Sequence, residues 1–178
     1  MKYSLFNSSN SQDVIELFSA VFSVSEGESE GQTIGRLVST LISSTPSNDL
    51  IGCVAIDNGR IVGCIFFSRF TVANGQVAFI LSPVAISTEL QGRAIGQRLI
   101  NYGLGCLKSL NVELAFTYGD PAFYSKTGFE QISESVVKAP FPLSQPIGWL
   151  AQSLDGQPIQ AIEGVTQCVE ALSDPDYW

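Results

Sequence analysis

The stretch Val84-Ala85-Ile86-Ser87-Thr88-Glu89-Leu90-Gln91-Gly92-Arg93-Ala94-Ile95-Gly96-Gln97-Arg98 decides the reading of this chain. Its first residues end a β-rich run that starts near Gln76, and its last open a helix predicted over Arg93 to Ser109. A short turn lies between them. Gly92, Ala94 and Gly96 are small, so a ligand can come close to the backbone. The first turn of a helix carries N–H groups with no carbonyl one turn earlier, and the positive end of the peptide dipoles stands behind them. A phosphate or pyrophosphate suits that place. Charge placement agrees, because no acidic residue falls between Glu89 and Glu113 while Arg93, Arg98 and Lys108 do. The plainer reading of the same residues is an amphipathic helix with a glycine-rich start.

Outward from this segment, periodicity supplies the other elements. Lys2 to Phe6 reads as a short strand. Ser11 is expected to cap a helix with Val14, Leu17, Phe18 and Val21 on its apolar face. An acidic stretch with Glu26, Glu28 and Glu30 follows, then a helix carrying Ile34, Leu37, Val38, Leu41 and Ile42, which Pro46 ends. Leu50–Ile56 and Ile61–Phe67 flank Asn58-Gly59, a dipeptide that specifies a two-residue hairpin turn. That turn sets Cys53 opposite Cys64, either as a redox pair or as two reduced thiols packed in a sheet. The strand Gln76 to Ile86 carries Pro83, which cannot donate to a ladder, so the strand should splay near Leu81–Val84. In the following helix Ile95, Leu99, Tyr102, Cys106 and Leu110 are expected to form the buried stripe.

Downstream, Glu113 to Tyr118 reads as a strand. Pro121 opens a short helix, and Gly128 is expected to close it in the left-handed conformation. Phe129 starts a further strand, Ile147 to Ser153 another, and Asp155-Gly156 a turn. A last amphipathic segment would use Val165, Val169 and Leu172. The result is a mixed, mostly antiparallel α/β sheet with helices on both faces. One domain over 1–178 is expected, with a core at 1–135 and an extension at 136–178. The aromatic residues Phe66, Phe67, Phe70, Phe79, Phe123, Phe141 and Trp149 read mainly as core, with a share left over to shape a pocket.

Composition narrows the chemistry. With 9 Lys plus Arg against 17 Asp plus Glu, the net charge is −8, a field that disfavours nucleic acid and favours cationic small molecules. No apolar run approaches the roughly 20 residues that cross a bilayer, and the first residues lack a signal peptide's pattern, so the expected place is the cytoplasm. The chain has no histidine, so Ser-His, Cys-His and His-based metal chemistry are all excluded. Carboxylates, Tyr, Lys, Cys or water must do any proton transfer.

Gln91-Gly92-Arg93-Ala94-Ile95-Gly96 resembles the Q/R-x-x-G-x-G/A loop of the GNAT superfamily of N-acetyltransferases, and Leu81 to Ile86 resembles that family's splayed fourth strand. Gly119-Asp120-Pro121-Ala122-Phe123-Tyr124-Ser125-Lys126-Thr127-Gly128-Phe129 looks like the GDP-x-(F/Y)-Y-x-x-x-GF block of a bacterial branch of acetyltransferases. The resemblance spans Lys2 to Glu130. It departs at Ala94, where the motif has glycine. A methyl there is compatible with a ligand if the residue is helical and obstructive if φ is positive.

The resemblance implies an acetyl-CoA-dependent transfer of acetyl to an amine of a small molecule or protein. Gln91, Gly92, Arg93, Ala94, Ile95, Gly96 and Gln97 would bind the pyrophosphate. Val84, Ala85 and Ile86 would hold the pantetheine arm, with a backbone N–H at Val84 or Ala85 taking the charge on the acetyl oxygen. Tyr124 would be the general acid, since a phenol titrating near ~10 can protonate a thiolate that titrates near ~8.5. Glu28 and Asp120 are candidate bases, and both have a plainer structural reading, as a solvated acidic loop and as a helix cap. A non-catalytic acyl-CoA sensor on the same fold is the alternative. No metal, nucleic acid or membrane is expected as a partner, and the C-terminal third leaves room for a homodimer edge.

Overall fold

The computed structural model describes residues 1–178. Seven strands form one open mixed sheet in the order β1-β2-β3-β4-β5-β7-β6, where β1 is Lys2–Leu5, β2 Leu50–Asp57, β3 Arg60–Thr71, β4 Val77–Ile86, β5 Leu114–Tyr118, β6 Glu130–Gln131 and β7 Trp149–Ser153. The helices are α1 (Ser11–Glu26), α2 (Glu28–Ser44), α3 (Ile95–Ser109) and the short α4 (Pro121–Tyr124). None is long and apolar enough to cross a membrane. Residue contacts gather into two compact units, Met1–Phe67 with Pro83–Gly103, and Ser68–Ser82 with Leu104–Trp178.

In the first unit, α1 buries Val14, Phe18 and Val21, and α2 buries Ile34, Leu37, Val38 and Leu41, as the 3.6-residue period requires. Ser11 does not accept a capping bond as expected. It is the first helical residue, and its hydroxyl donates to the Ser8 carbonyl at 2.7 Å. The acidic stretch is no loop either: Gly27, at φ 102° and ψ 160°, is the single residue between α1 and α2. That conformation is accessible in practice only to glycine. The hairpin has the predicted two-residue turn, with Asn58 and Gly59 at φ 48° and 80°. Cys53 and Cys64 are wholly buried and no disulfide joins them. Burial first, and the neighbouring Cys53 second, push the Cys64 thiol well above its ordinary range.

The second unit is built on β5. It pairs in parallel with β4 from Ala78↔Leu114 to Leu81↔Thr117 and antiparallel with β7 from Leu114↔Ser153 to Tyr118↔Trp149. The parallel ladder stops at Leu81 although β4 runs on to Ile86. Pro83 has no N–H, and the next rung on that edge has no donor. Phe70, Phe116 and Trp149 pack as a wholly buried aromatic cluster with ring centroids 4.7 to 5.8 Å apart. Phe66 and Phe67 are also wholly buried, so these aromatic positions are core.

Two expectations fail. The buried large side chains of α3 are Ile95, Leu99, Ile100, Leu104 and Leu107, whereas Tyr102 and Cys106 are half-buried and Leu110, just past its end, is 60% exposed. Leucines and isoleucines line two adjacent stripes of this helix, and the sequence alone does not say which one faces inward. The tail forms short turns instead of one amphipathic segment: Leu172 is buried as expected, but Val165 is exposed and Ile162, Ala171 and Trp178 do the rest of the burying.

Candidate active site

In the first unit, β4 ends at Ile86 and the chain reverses through Ser87, whose N–H donates to the Val62 carbonyl at 2.8 Å. Gly63 on β3 leaves the space that the Ile86 and Leu99 side chains fill, which packs the end of β4 and the start of α3 over the sheet. A helical turn at Thr88–Leu90 follows, and the Gln91 amide donates back to the Ile86 carbonyl at 3.1 Å. Gln91 therefore closes the loop on itself.

Gly92 and Ala94 both take left-handed φ, 74° and 57°. This corrects the expected helix start: α3 begins at Ile95, not Arg93, because a residue with positive φ cannot belong to a right-handed helix. Ala94 is thus the non-helical case, the one in which its methyl was expected to obstruct a ligand; the side chain is exposed and the N–H groups that follow it belong to the backbone, so the left-handed φ by itself does not close the loop. Its carbonyl accepts the first helical bond, from Arg98 N–H at 3.2 Å. The N–H groups of Ile95, Gly96 and Gln97 come before that bond and have no carbonyl one turn back. A left-handed residue followed by helical ones turns successive N–H groups toward a common point, which makes an anion-binding concavity. A side chain on Gly92 would meet nothing within 4 Å, so the loop is open on that side. The Arg98 guanidinium donates to the Arg93 carbonyl at 2.7 Å, fixing positive charge at the same turn. Gln91 to Ala94 are exposed, Gln97 and Val84 are half-buried, and Ala85, Ile86, Ile95 and Gly96 are buried.

Glu28 is exposed and, with Glu30, occupies the first turn of α2, where the helix dipole favours carboxylates.

In the second unit, the Asp120 carboxylate accepts from Ala122 N–H at 2.9 Å and caps α4, with Pro121 in the first helical position. Gly128 closes the turn after α4 at φ 89°, as predicted. Between these fixed ends stands Tyr124. Its ring meets Phe123 and Phe129 edge-on at 5.0 and 6.0 Å, and its backbone carbonyl accepts from the Thr127 hydroxyl at 2.8 Å. A Cβ on Gly119 would fall 2.7 Å from the edge of that ring, so only glycine leaves room for it. Tyr124 as a whole is half-buried, and the shielding of its phenol from water holds it above its ordinary range; hydrogen bonding by Thr117 works the other way, and the nearby Asp120 charge adds to the rise. The phenol is protonated at neutral pH.

Sequence reasoning passed over Thr117 and Tyr118. Thr117 is wholly buried and donates to the Leu81 carbonyl at 3.0 Å. Tyr118 stacks on Trp178 at 6.1 Å, and its hydroxyl accepts from Gln145 N–H at 2.6 Å and shares a bond with Ser144 at 2.9 Å. It forms one wall of a hollow of about 430 Å³, together with Asp120, Pro121, Ser144, Ile147 and Gly148. Thr117 was signalled, as the one threonine in the apolar run Leu114-Ala115-Phe116-Thr117-Tyr118; nothing local marks Ser144.

Comparison with known proteins matches residues 48–131 to the acetyltransferase (GNAT) domain. The stretch holds the β4–α3 loop and the Asp120–Gly128 block together. An uncharacterized N-acetyltransferase of Escherichia coli K12, YjhQ, is 32% identical over 124 residues, which is 66% of each chain. Residues 48–131 are a GNAT acetyltransferase domain. Two solved GNAT structures share the fold at 20% identity each. E. coli YhbS in complex with CoA has a TM-score of 0.79, covering 97% of this chain and 92% of that one. An acetyltransferase of Brucella melitensis in complex with acetyl-CoA has a TM-score of 0.75, covering 97% of both. The open mixed sheet described above is therefore a GNAT fold.

Proposed function

We propose that this GNAT protein transfers acetyl from acetyl-CoA to a primary amine of a small molecule or protein. The observation that carries the reading is the pair of left-handed residues, Gly92 and Ala94, set before three helical N–H groups with open space at Gly92. Those features fit a diphosphate. The relatives solved with CoA and acetyl-CoA support the same choice of donor.

Bound acetyl-CoA supplies the activated acetyl group. In this reading the amides of Gly92 to Gln97 and the side chains of Gln91 and Arg93 anchor its diphosphate. The edge of β4 at Val84, Ala85 and Ile86, freed from its ladder by Pro83, holds the pantetheine arm. A backbone N–H at Val84 or Ala85 donates to the acetyl oxygen as negative charge builds there. Tyr124, kept protonated by burial, gives its proton to the departing sulfur. Glu28 is the candidate that draws in and deprotonates a cationic amine, acting in the field of a chain with net charge −8.

A screen of amines with acetyl-CoA as donor, read by release of free thiol, tests the proposal. Turnover with at least one amine is expected. Tight acetyl-CoA binding with no thiol release across amino acids, polyamines, aminoglycosides and peptides would overturn the enzyme reading in favour of an acyl-CoA sensor.

A further inference from the structure

Thr117 lies in β5 and Gly119 just past its end, two residues on, so the Thr117 side chain and the place a Cβ on Gly119 would take share one face. On that face the Tyr124 ring takes the space a Cβ on Gly119 would need, with Cε2 2.7 Å and the hydroxyl-bearing Cζ 3.7 Å from that point. The Thr117 hydroxyl, wholly buried, is committed to the Leu81 carbonyl on the last rung of the parallel ladder. A threonine hydroxyl has one proton and a freely turning O–H, so it donates in only one direction at a time. A buried phenolate, by contrast, needs a donor.

We propose that Thr117 is a positioning residue for Tyr124, moving its single donated hydrogen bond from the Leu81 carbonyl to the Tyr124 oxygen when that oxygen becomes a phenolate. The inference rests on Tyr124 being the general acid. In the step itself the Tyr124 O–H bond breaks and an S–H bond forms on the departing sulfur. The Thr117 O–H bond stays intact and only rotates. The proton lost by the attacking amine reaches water, and water returns one to the phenolate, so the cycle closes without any further reactant. Thr117 also contributes the lowering influence on the Tyr124 phenol against burial, as a donor to the charged form does.

The test compares Thr117→Val, Thr117→Ser and Tyr124→Phe with the wild type, using the best amine from the thiol-release screen. Thr117→Val keeps shape and removes the donor. It should lower kcat about tenfold or more, the worth of a hydrogen bond to a charged group, with the KM for acetyl-CoA unchanged. Its alkaline kcat limb, and the tyrosine ultraviolet titration missing from Tyr124→Phe, should both move to higher pH. Thr117→Ser should restore rate and titration. In a Tyr124→Phe background, Thr117→Val should cost nothing more. Should Thr117→Val not fold, Thr117→Ala is compared with Thr117→Ser in the same assays. A Thr117→Val enzyme with wild-type kcat and an unmoved titration overturns the inference. Wild-type kcat in Tyr124→Phe instead overturns the acid role on which it rests, and the two results cannot be confused.

Discussion

Ala94 holds a left-handed φ of 57° without being glycine, and replacing it with glycine gives a sharp test of the loop. For an alanine that conformation costs roughly 1–2 kcal/mol, and the Ala94→Gly change removes the cost. Against this, glycine gives the unfolded chain more freedom, worth about 0.4–1 kcal/mol. The balance is a stabilisation of about 0.8 kcal/mol, or roughly 2–3 °C in Tm for a chain of this size. Ala94→Val is the control. A β-branched residue at positive φ is a steric outlier, and this variant should lose more than about 1 kcal/mol. Urea unfolding measures both differences. Titration calorimetry with coenzyme A reads the site in the same samples. The N–H groups belong to the backbone, so Ala94→Gly should bind coenzyme A at least as tightly as the wild type. A glycine variant less stable by 1 kcal/mol would mean that residue 94 is not left-handed in solution. A tenfold loss of affinity would mean that the methyl, and not the backbone, meets the ligand.

Four further outcomes follow from the same geometry. Gly92→Glu, placing a carboxylate in the open side of the loop at φ 74°, should abolish acetyl-CoA binding in calorimetry, and retained affinity would move the diphosphate elsewhere. Tyr124→Phe should lower kcat by about a hundredfold or more while acetyl-CoA affinity stays within a few-fold, and a parallel loss of both would make the ring a packing element. Ser68 is wholly buried with a hydroxyl that has no partner, so Ser68→Ala should raise Tm by about 2–4 °C; a lower Tm would reveal a bond in solution. Burial holds both Cys64 and Tyr124 above their ordinary values of 9.0 and 10.0. Below those values folded and unfolded chains are equally protonated, and above them only the unfolded chain gives up these protons, so stability should fall as pH rises from 9 upward. The decline in urea midpoint should be shallower in Cys64→Ala and in Tyr124→Phe, and an unchanged slope in both would remove these groups as its cause.

The elements legible in the sequence are those fixed by local chemistry. Asn58-Gly59 sets its hairpin because both residues tolerate positive φ, and Asp120-Pro121 with Gly128 brackets α4 because each end has its own cap. Pro83 announces the end of the parallel ladder by lacking a donor. What stayed hidden depends on partners distant in the chain. The inward stripe of α3 is chosen by the sheet beneath it, so Leu104 and Leu107 are buried where Cys106 and Leu110 had been expected. Ala94 gives no local sign of its φ, since alanine is the best helix former and only the loop's closure by Gln91 and Arg98 holds it out. Thr117 acquires its meaning from Leu81, 36 residues earlier. The tail beyond Pro140 folds by contacts such as Thr71 with Gln167 and Val137 with Ile162, which no periodicity announces.

The burial of Cys53 and Cys64 bears on how the protein can be assayed. Colorimetric reagents that report coenzyme A attack only accessible thiolates. A cysteine sealed at zero exposure, and in Cys64 held protonated besides, gives no colour while the chain stays folded. The background must come from the half-buried Cys106 and Cys168, and serine at those two positions would leave a silent enzyme. Any signal that then appears without acetyl-CoA measures unfolding, so one reagent follows both turnover and the integrity of the sheet.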